Sequence, residues 1–133
     1  MGVLRDLGAL RAFVVHGSDG LDELTITGPS QVSELKDGEV TTYEISPEEY
    51  GMQRADADSL KGGNADRNAQ VLLEILDGVD GPCRDIVLLN AAAAIIAGGA
   101  ADNFAAGLER ARESLDSGKA KSALEKLKRV SNQ

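Results

Sequence analysis

The sequence has no tryptophan, a single histidine (His16), a single cysteine (Cys83) and an aromatic share of only 3 %. Each scarcity excludes something. So few aromatic rings leave no stacking platform for bases or sugars. One cysteine makes neither an internal disulfide framework nor a thiolate metal cluster, which points to a reducing, cytoplasmic setting. One histidine cannot build a His-rich metal centre. Positive charge is short as well: 14 bases against 22 acids give a formal net charge of -8. That balance repels a phosphate backbone and lacks the basic stripe of a nucleic-acid binder. The longest apolar run, Ile86 to Ala97, is broken by Asn90 and reaches about half of the roughly 20 residues that cross a bilayer, so no membrane partner is expected. The first residues lack the basic region and long apolar core of a signal peptide.

What remains is enough for one domain over 133 residues, with a real core. Val3, Leu4, Leu7 and Leu10 recur near a helical turn, ahead of Gly8 as a stop. This periodicity is already running at Met1 without an N-cap, as expected if Met1 is a cut point and not a natural beginning. The β-branched run Ala12-Phe13-Val14-Val15 then reads as a buried parallel strand. Gln31–Leu35 and Val40–Ile45 alternate around Asp37-Gly38, a strong hairpin signal. Ser46-Pro47-Glu48-Glu49 is a capping box with proline at the first helical position, and Gly51 closes the turn. A helix follows Gly62-Gly63, with Ala69, Leu72, Ile75 and Leu76 on one face. Asp85–Ala97 is apolar on nearly every side, the expected buried central helix. Phe104, Leu108, Ala111 and Leu115 mark a fourth helix capped by Asp102 or Asn103, and Ala120, Leu124, Leu127 and Val130 mark a fifth. The fold class expected is therefore α/β: part of a mixed, mostly parallel sheet with a β-hairpin, flanked by helices and ending in two C-terminal helices.

Chemistry concentrates where the first strand ends. His16-Gly17-Ser18-Asp19-Gly20-Leu21-Asp22-Glu23 crowds three acids into a glycine-broken loop, the position at which open α/β sheets bind ligands. Glycines 17 and 20 allow backbone angles closed to other residues. In a loop, the adjacent carboxylates of Asp22 and Glu23 can face one cation; magnesium takes one or two carboxylates together with water and substrate phosphates. The alternative is a solvated acidic turn. His16 is a general base, a metal ligand or a strand-end histidine tied to backbone. Gly62-Gly63 either presents amides to an anion at a helix N-terminus or is a plain loop with Asn64 or Asp66 as N-cap. Asn90, in the middle of an apolar helix, must find hydrogen-bond partners, as a core clasp or as a ligand contact. Cys83, beside Pro82 at a helix entrance, reads as a packing residue.

Three blocks taken together resemble the C-terminal part of the anthranilate phosphoribosyltransferase family. They are Val14–Glu23; Ser46–Gly51 with Leu60–Ala69; and Asp85–Ala94 with Asp116–Ala120. Position 64 departs slightly, since the family more often has Asp after the Gly-Gly pair. The resemblance implies magnesium-dependent transfer of the phosphoribosyl group of phosphoribosyl pyrophosphate to anthranilate, with Asp22 and Glu23 as the magnesium ligands. It also implies a homodimer for the whole enzyme. Family members are more than twice this length, and their glycine-rich GTGGD loop and KHGN segment have no counterpart here. The chain alone is therefore expected to be inactive and to have an exposed sheet edge through which it self-associates. Two other readings stand beside this one: a non-catalytic binding or scaffolding module, and a relative of the nucleoside phosphorylases.

Overall fold

The computed structural model describes residues 1–132. A short helix α1 (Gly2–Asp6) leads into β1 (Arg11–Gly17), β2 (Ser30–Lys36) and β3 (Glu39–Ile45). Two 3-10 turns (Pro47–Tyr50 and Ala57–Leu60) then precede four helices: α2 (Ala65–Leu76), α3 (Pro82–Ala97), α4 (Phe104–Asp116) and α5 (Lys119–Ser131).

The class is α/β, but β1 is not a parallel strand. The sheet has the order β1-β2-β3, and both pairings are antiparallel, Val15 standing opposite Val32 and Val32 opposite Tyr43. Two physical reasons account for this. The connection from Ser18 to Pro29 contains no helix, and parallel neighbours need a crossover of a dozen or more residues, usually helical. In addition, β1 is covered on one face only: Phe13 and Val15 pack on the core while Val14 and His16 face solvent, the habit of antiparallel strands. The β2–β3 hairpin forms as expected. Asp37 (φ 52°) and Gly38 (φ 82°) both have positive φ, which matches the right-handed twist of the strands.

The helices follow their local signals. Glu49 Oε1 accepts the Ser46 amide at 2.8 Å, completing a capping box around a single 3-10 turn. Asn64 caps α2 through the Arg67 amide (2.9 Å), and Asn103 caps α4 through the Ala106 amide (3.0 Å). Helices α3 and α4 are the main helical pair, with Leu88, Leu89, Ala92 and Ile96 meeting Phe104, Leu108 and Ala111 in one buried cluster with the sheet. Full burial of each large side chain there contributes about 1.5–3 kcal/mol.

Burial is not complete where sequence periodicity suggests it. Val87 on α3 is partly exposed, Leu127 and Val130 on α5 are 63 % and 57 % exposed, and Val3, Leu7 and Leu10 face solvent. No helix among the described residues is long and apolar enough to cross a membrane.

Candidate functional site: a pinned acidic turn

The chain leaves β1 at Gly17 and rejoins the sheet at Ser30, and backbone bonds hold the two ends of this loop together. Ser18 N–H donates to Pro29 O (3.0 Å), and Gly17 N–H donates to Leu21 O (2.9 Å). Gly20 takes φ 94°, as expected of a glycine in a tight turn. Gly17 is required for a different reason from the one its sequence suggests. Its φ is ordinary, but a Cβ there would lie 2.5 Å from Asp19 Oδ1 and 3.0 Å from Thr25 Cβ.

The third acid of the loop is not free to serve a ligand. Asp19 Oδ2 accepts the hydroxyls of Thr25 (2.5 Å) and Thr27 (2.6 Å), and Oδ1 accepts the Leu21 amide (3.1 Å). Burial disfavours its charge and is the largest single influence. The two hydroxyls, the Leu21 amide and its own amide together outweigh it, holding the carboxyl below the usual aspartate value. Asp19 is therefore the internal tie of the loop.

Beyond the turn the chain plunges inward: Leu24, Thr25 and Ile26 are fully buried. Thr25 N–H finds Ser30 Oγ (2.9 Å), and Ile26 O accepts the Ala55 amide (2.9 Å). Leu24 is gripped by Asn90 of α3, whose Oδ1 accepts the Leu24 amide (2.9 Å) and whose Nδ2 donates to Leu24 O (2.8 Å) and to Ile86 O (3.0 Å). Asn90 is thus a clasp, with both donors and its acceptor engaged. Between these anchors Asp22 and Glu23 stay exposed on a turn whose backbone is fixed on both flanks.

Residues 1–121 match the glycosyl transferase family, a/b domain. The chain belongs to this family. It is 52 % identical over 129 residues to the anthranilate phosphoribosyltransferase of Rhodopseudomonas palustris strain HaA2, covering 97 % of this chain and 38 % of that protein. It is also 52 % identical over 130 residues to the enzyme of Azospirillum brasilense, covering 98 % and 37 %. Among solved structures it superimposes on anthranilate phosphoribosyltransferase from Thermus thermophilus with a TM-score of 0.82 at 41 % identity, covering 92 % of this chain and 36 % of that one. The Saccharomyces cerevisiae enzyme in complex with PRPP and Mg follows at 0.75 and 28 %, covering 85 % and 33 %. The chain thus spans about a third of the length of these relatives.

The second glycine-marked loop of this family member lies beside the first. Asp19, Leu21 and Thr27 share a cleft of about 260 Å³ with Ala57, Leu60 and Lys61, directly ahead of Gly62-Gly63. Gly63 has no amide to offer an anion, because Asn68 Oδ1 accepts it (2.7 Å) while Asn68 Nδ2 donates to Gly63 O (3.2 Å). Of the two candidate caps, Asn64 is the N-cap of α2. Asn68 repeats on this loop the clasp that Asn90 makes on the other; a lone asparagine one turn into a helix carries no sequence signal for that role. His16 sits on the solvated face of β1, and Cys83 packs half-buried with its Sγ 3.6 Å from Ser59 O.

A larger cavity, of about 480 Å³, lies at the far end of β1 and is lined by Arg11, Phe13, Glu34, Tyr43, Tyr50 and Phe104 among others. Its polar groups are occupied with one another. Arg11 donates to Glu34 Oε1 (3.0 Å) and to the carbonyls of Ala101 and Asp102, while the Tyr43 hydroxyl donates to Glu34 Oε2 (3.0 Å). Burial, and then this bond to Glu34, push the Tyr43 phenol well above its ordinary value. The cluster is a structural staple of the sheet.

Proposed function

We propose that the chain is the C-terminal part of the α/β domain of an anthranilate phosphoribosyltransferase, forming one domain over residues 1–133. The whole enzyme transfers the phosphoribosyl group of phosphoribosyl pyrophosphate to the amine of anthranilate in tryptophan biosynthesis. The observation that carries this reading, within the family, is the exposed pair Asp22 and Glu23 on a turn held rigidly at the exit of β1.

The donor set suits magnesium. Two hard, solvent-facing carboxylates are enough for an ion that keeps waters and takes the rest of its shell from substrate phosphates. Among the described residues no group of three or more His, Cys, Asp or Glu could close a protein cage. Magnesium, when bound, supplies positive charge against the leaving pyrophosphate as the ribose carbon takes on oxocarbenium character. Asp22 and Glu23 would hold the ion at the strand exit. Asp19, engaged by two threonines, contributes shape and no ligand. The work of this part of the protein is then positioning and electrostatics, without a nucleophile of its own.

The same reading assigns the protein to the cytoplasm, makes the whole enzyme a homodimer and leaves the isolated chain inactive, with the free edge of β1 as its route to self-association. Extending the reading frame upstream tests it. A GTGGD loop should be encoded there, and the longer protein should release pyrophosphate from phosphoribosyl pyrophosphate and anthranilate only with magnesium. Asp22→Ala plus Glu23→Ala should lower that rate by about 100-fold or more. Phosphorolysis of nucleosides, or a rate indifferent to the double substitution, overturns the assignment. Transferase activity in the 133-residue chain alone overturns its expected inactivity.

A further inference from the structure

We propose that Asn90 is a positioning residue for the acidic pair, holding Glu23 and Asp22 in register for a shared divalent cation from the central helix of the fold. The inference rests on the reading of those two carboxylates as metal ligands. Leu24 directly follows Glu23, and Asn90 holds both its N–H and its C=O, at 2.9 Å and 2.8 Å, across 66 positions of sequence. Two contacts on one residue fix the direction of its peptide planes as well as its place. The third bond, from Nδ2 to Ile86 O in the turn of α3 before Asn90, stops the amide itself from rotating.

The anchor point is well chosen mechanically. On either side of Asn90, Leu88, Leu89, Ala92 and Ile96 of α3 are buried in the core, so the clasp ties the turn to tightly packed structure. The opposite flank of the turn is tied by Asp19 to Thr25 and Thr27. Asp22 and Glu23 project between the two ties, and their like charges would drive them apart on a loose loop. Fixing the backbone beforehand removes that freedom from the cost of binding, as outer-shell partners do for metal ligands.

Binding of Mn²⁺ alone to the 133-residue chain tests this, followed by paramagnetic broadening of backbone amide signals. In the wild type, broadening should centre on residues 21–25, and Asp22→Ala plus Glu23→Ala should abolish it. Asn90→Ala should weaken Mn²⁺ affinity by about tenfold or more. Asn90→Ser should do the same while keeping a hydroxyl that can bond Ile86 O, so that it folds even if the alanine variant does not. Leu115→Ala in the core of α4 serves as a destabilised control and should leave affinity unchanged. Hydrogen exchange should show the Leu24 amide deprotected in Asn90→Ser, with α4 amides as in the wild type. If Asn90→Ser binds Mn²⁺ like the wild type with the Leu24 amide deprotected, the clasp is structural only and the inference fails. If the wild type shows no broadening centred on residues 21–25, or the double alanine variant binds like the wild type, the metal reading itself fails and takes the inference with it.

Discussion

Arg84 donates from Nη2 to Asp116 Oδ1 at 2.6 Å, joining the first turn of α3 to the last residue of α4. The two ends of this pair are unequally exposed, at 9 % for the Arg84 side chain and 58 % for that of Asp116. Asp80 approaches Nε of the same guanidinium at 3.5 Å, and Nη1 is buried without a hydrogen-bond partner among the described residues. The asymmetry sets the cost of breaking the pair. Asp116→Ala leaves a buried cation short of its closest partner and should destabilise by about 1–3 kcal/mol. Arg84→Met leaves only an exposed carboxylate that water can solvate, and it keeps most of the packed stem. Urea unfolding should therefore rank Asp116→Ala as the more damaging change.

Gly107 lets α4 pack directly against the backbone of α3 at Ala92. A Cβ at this position would lie 3.0 Å from Ala92 O and 3.1 Å from Ala92 Cβ. Gly107→Ala should cost about 1–3 kcal/mol by forcing the helices apart, despite the better helix propensity of alanine. Adding Ala92→Gly removes one of the three closely approached atoms and should recover part of the loss, a coupling that a double-mutant cycle of unfolding free energies measures.

Asp19 gives the acid side of the stability curve a definite sign. Its carboxyl is held below the unfolded value of 3.8, so the stabilisation is complete above that value and is lost as pH falls through the depressed one. Asp19→Asn should lower stability most at neutral pH, with the gap to the wild type closing as the solution is acidified below the ordinary aspartate range. Thermal melts from pH 7 down to about pH 3 read this directly. A gap that stays constant across that range would assign the loss to packing and not to charge.

Much of the secondary structure was legible because its signals are local. The capping box of Ser46 and Glu49, the Asp37-Gly38 turn and the Asn103 cap all act within a few residues of themselves. The stripe Phe104, Leu108, Ala111 and Leu115 buries as its spacing predicts. The stripe of α5 has a similar helical spacing, yet Ala120 and Leu124 are only half-buried and Leu127 and Val130 are exposed, because periodicity says which residues share a face and nothing about what that face meets. For β1 the error was of the same kind: a short β-branched run is compatible with either strand direction, and the loop after it decided the outcome.

Within the site, the sequence by itself determined the turn, the positive φ of Gly20 and the excess of acids, since backbone permissiveness and charge belong to individual residues, whereas Gly17 is required by the approach of Asp19 and Thr25. Only the tertiary structure sorted the acids. Asp19 is consumed because Thr25 and Thr27 fold back onto it, whereas Asp22 and Glu23 project because the chain dives into the core immediately after them. The partner of Asn90 was likewise undecided until α3 packed against the loop. An asparagine inside an apolar helix must be satisfied, but which backbone satisfies it depends on contacts between segments 66 positions apart, and those form only when the core closes.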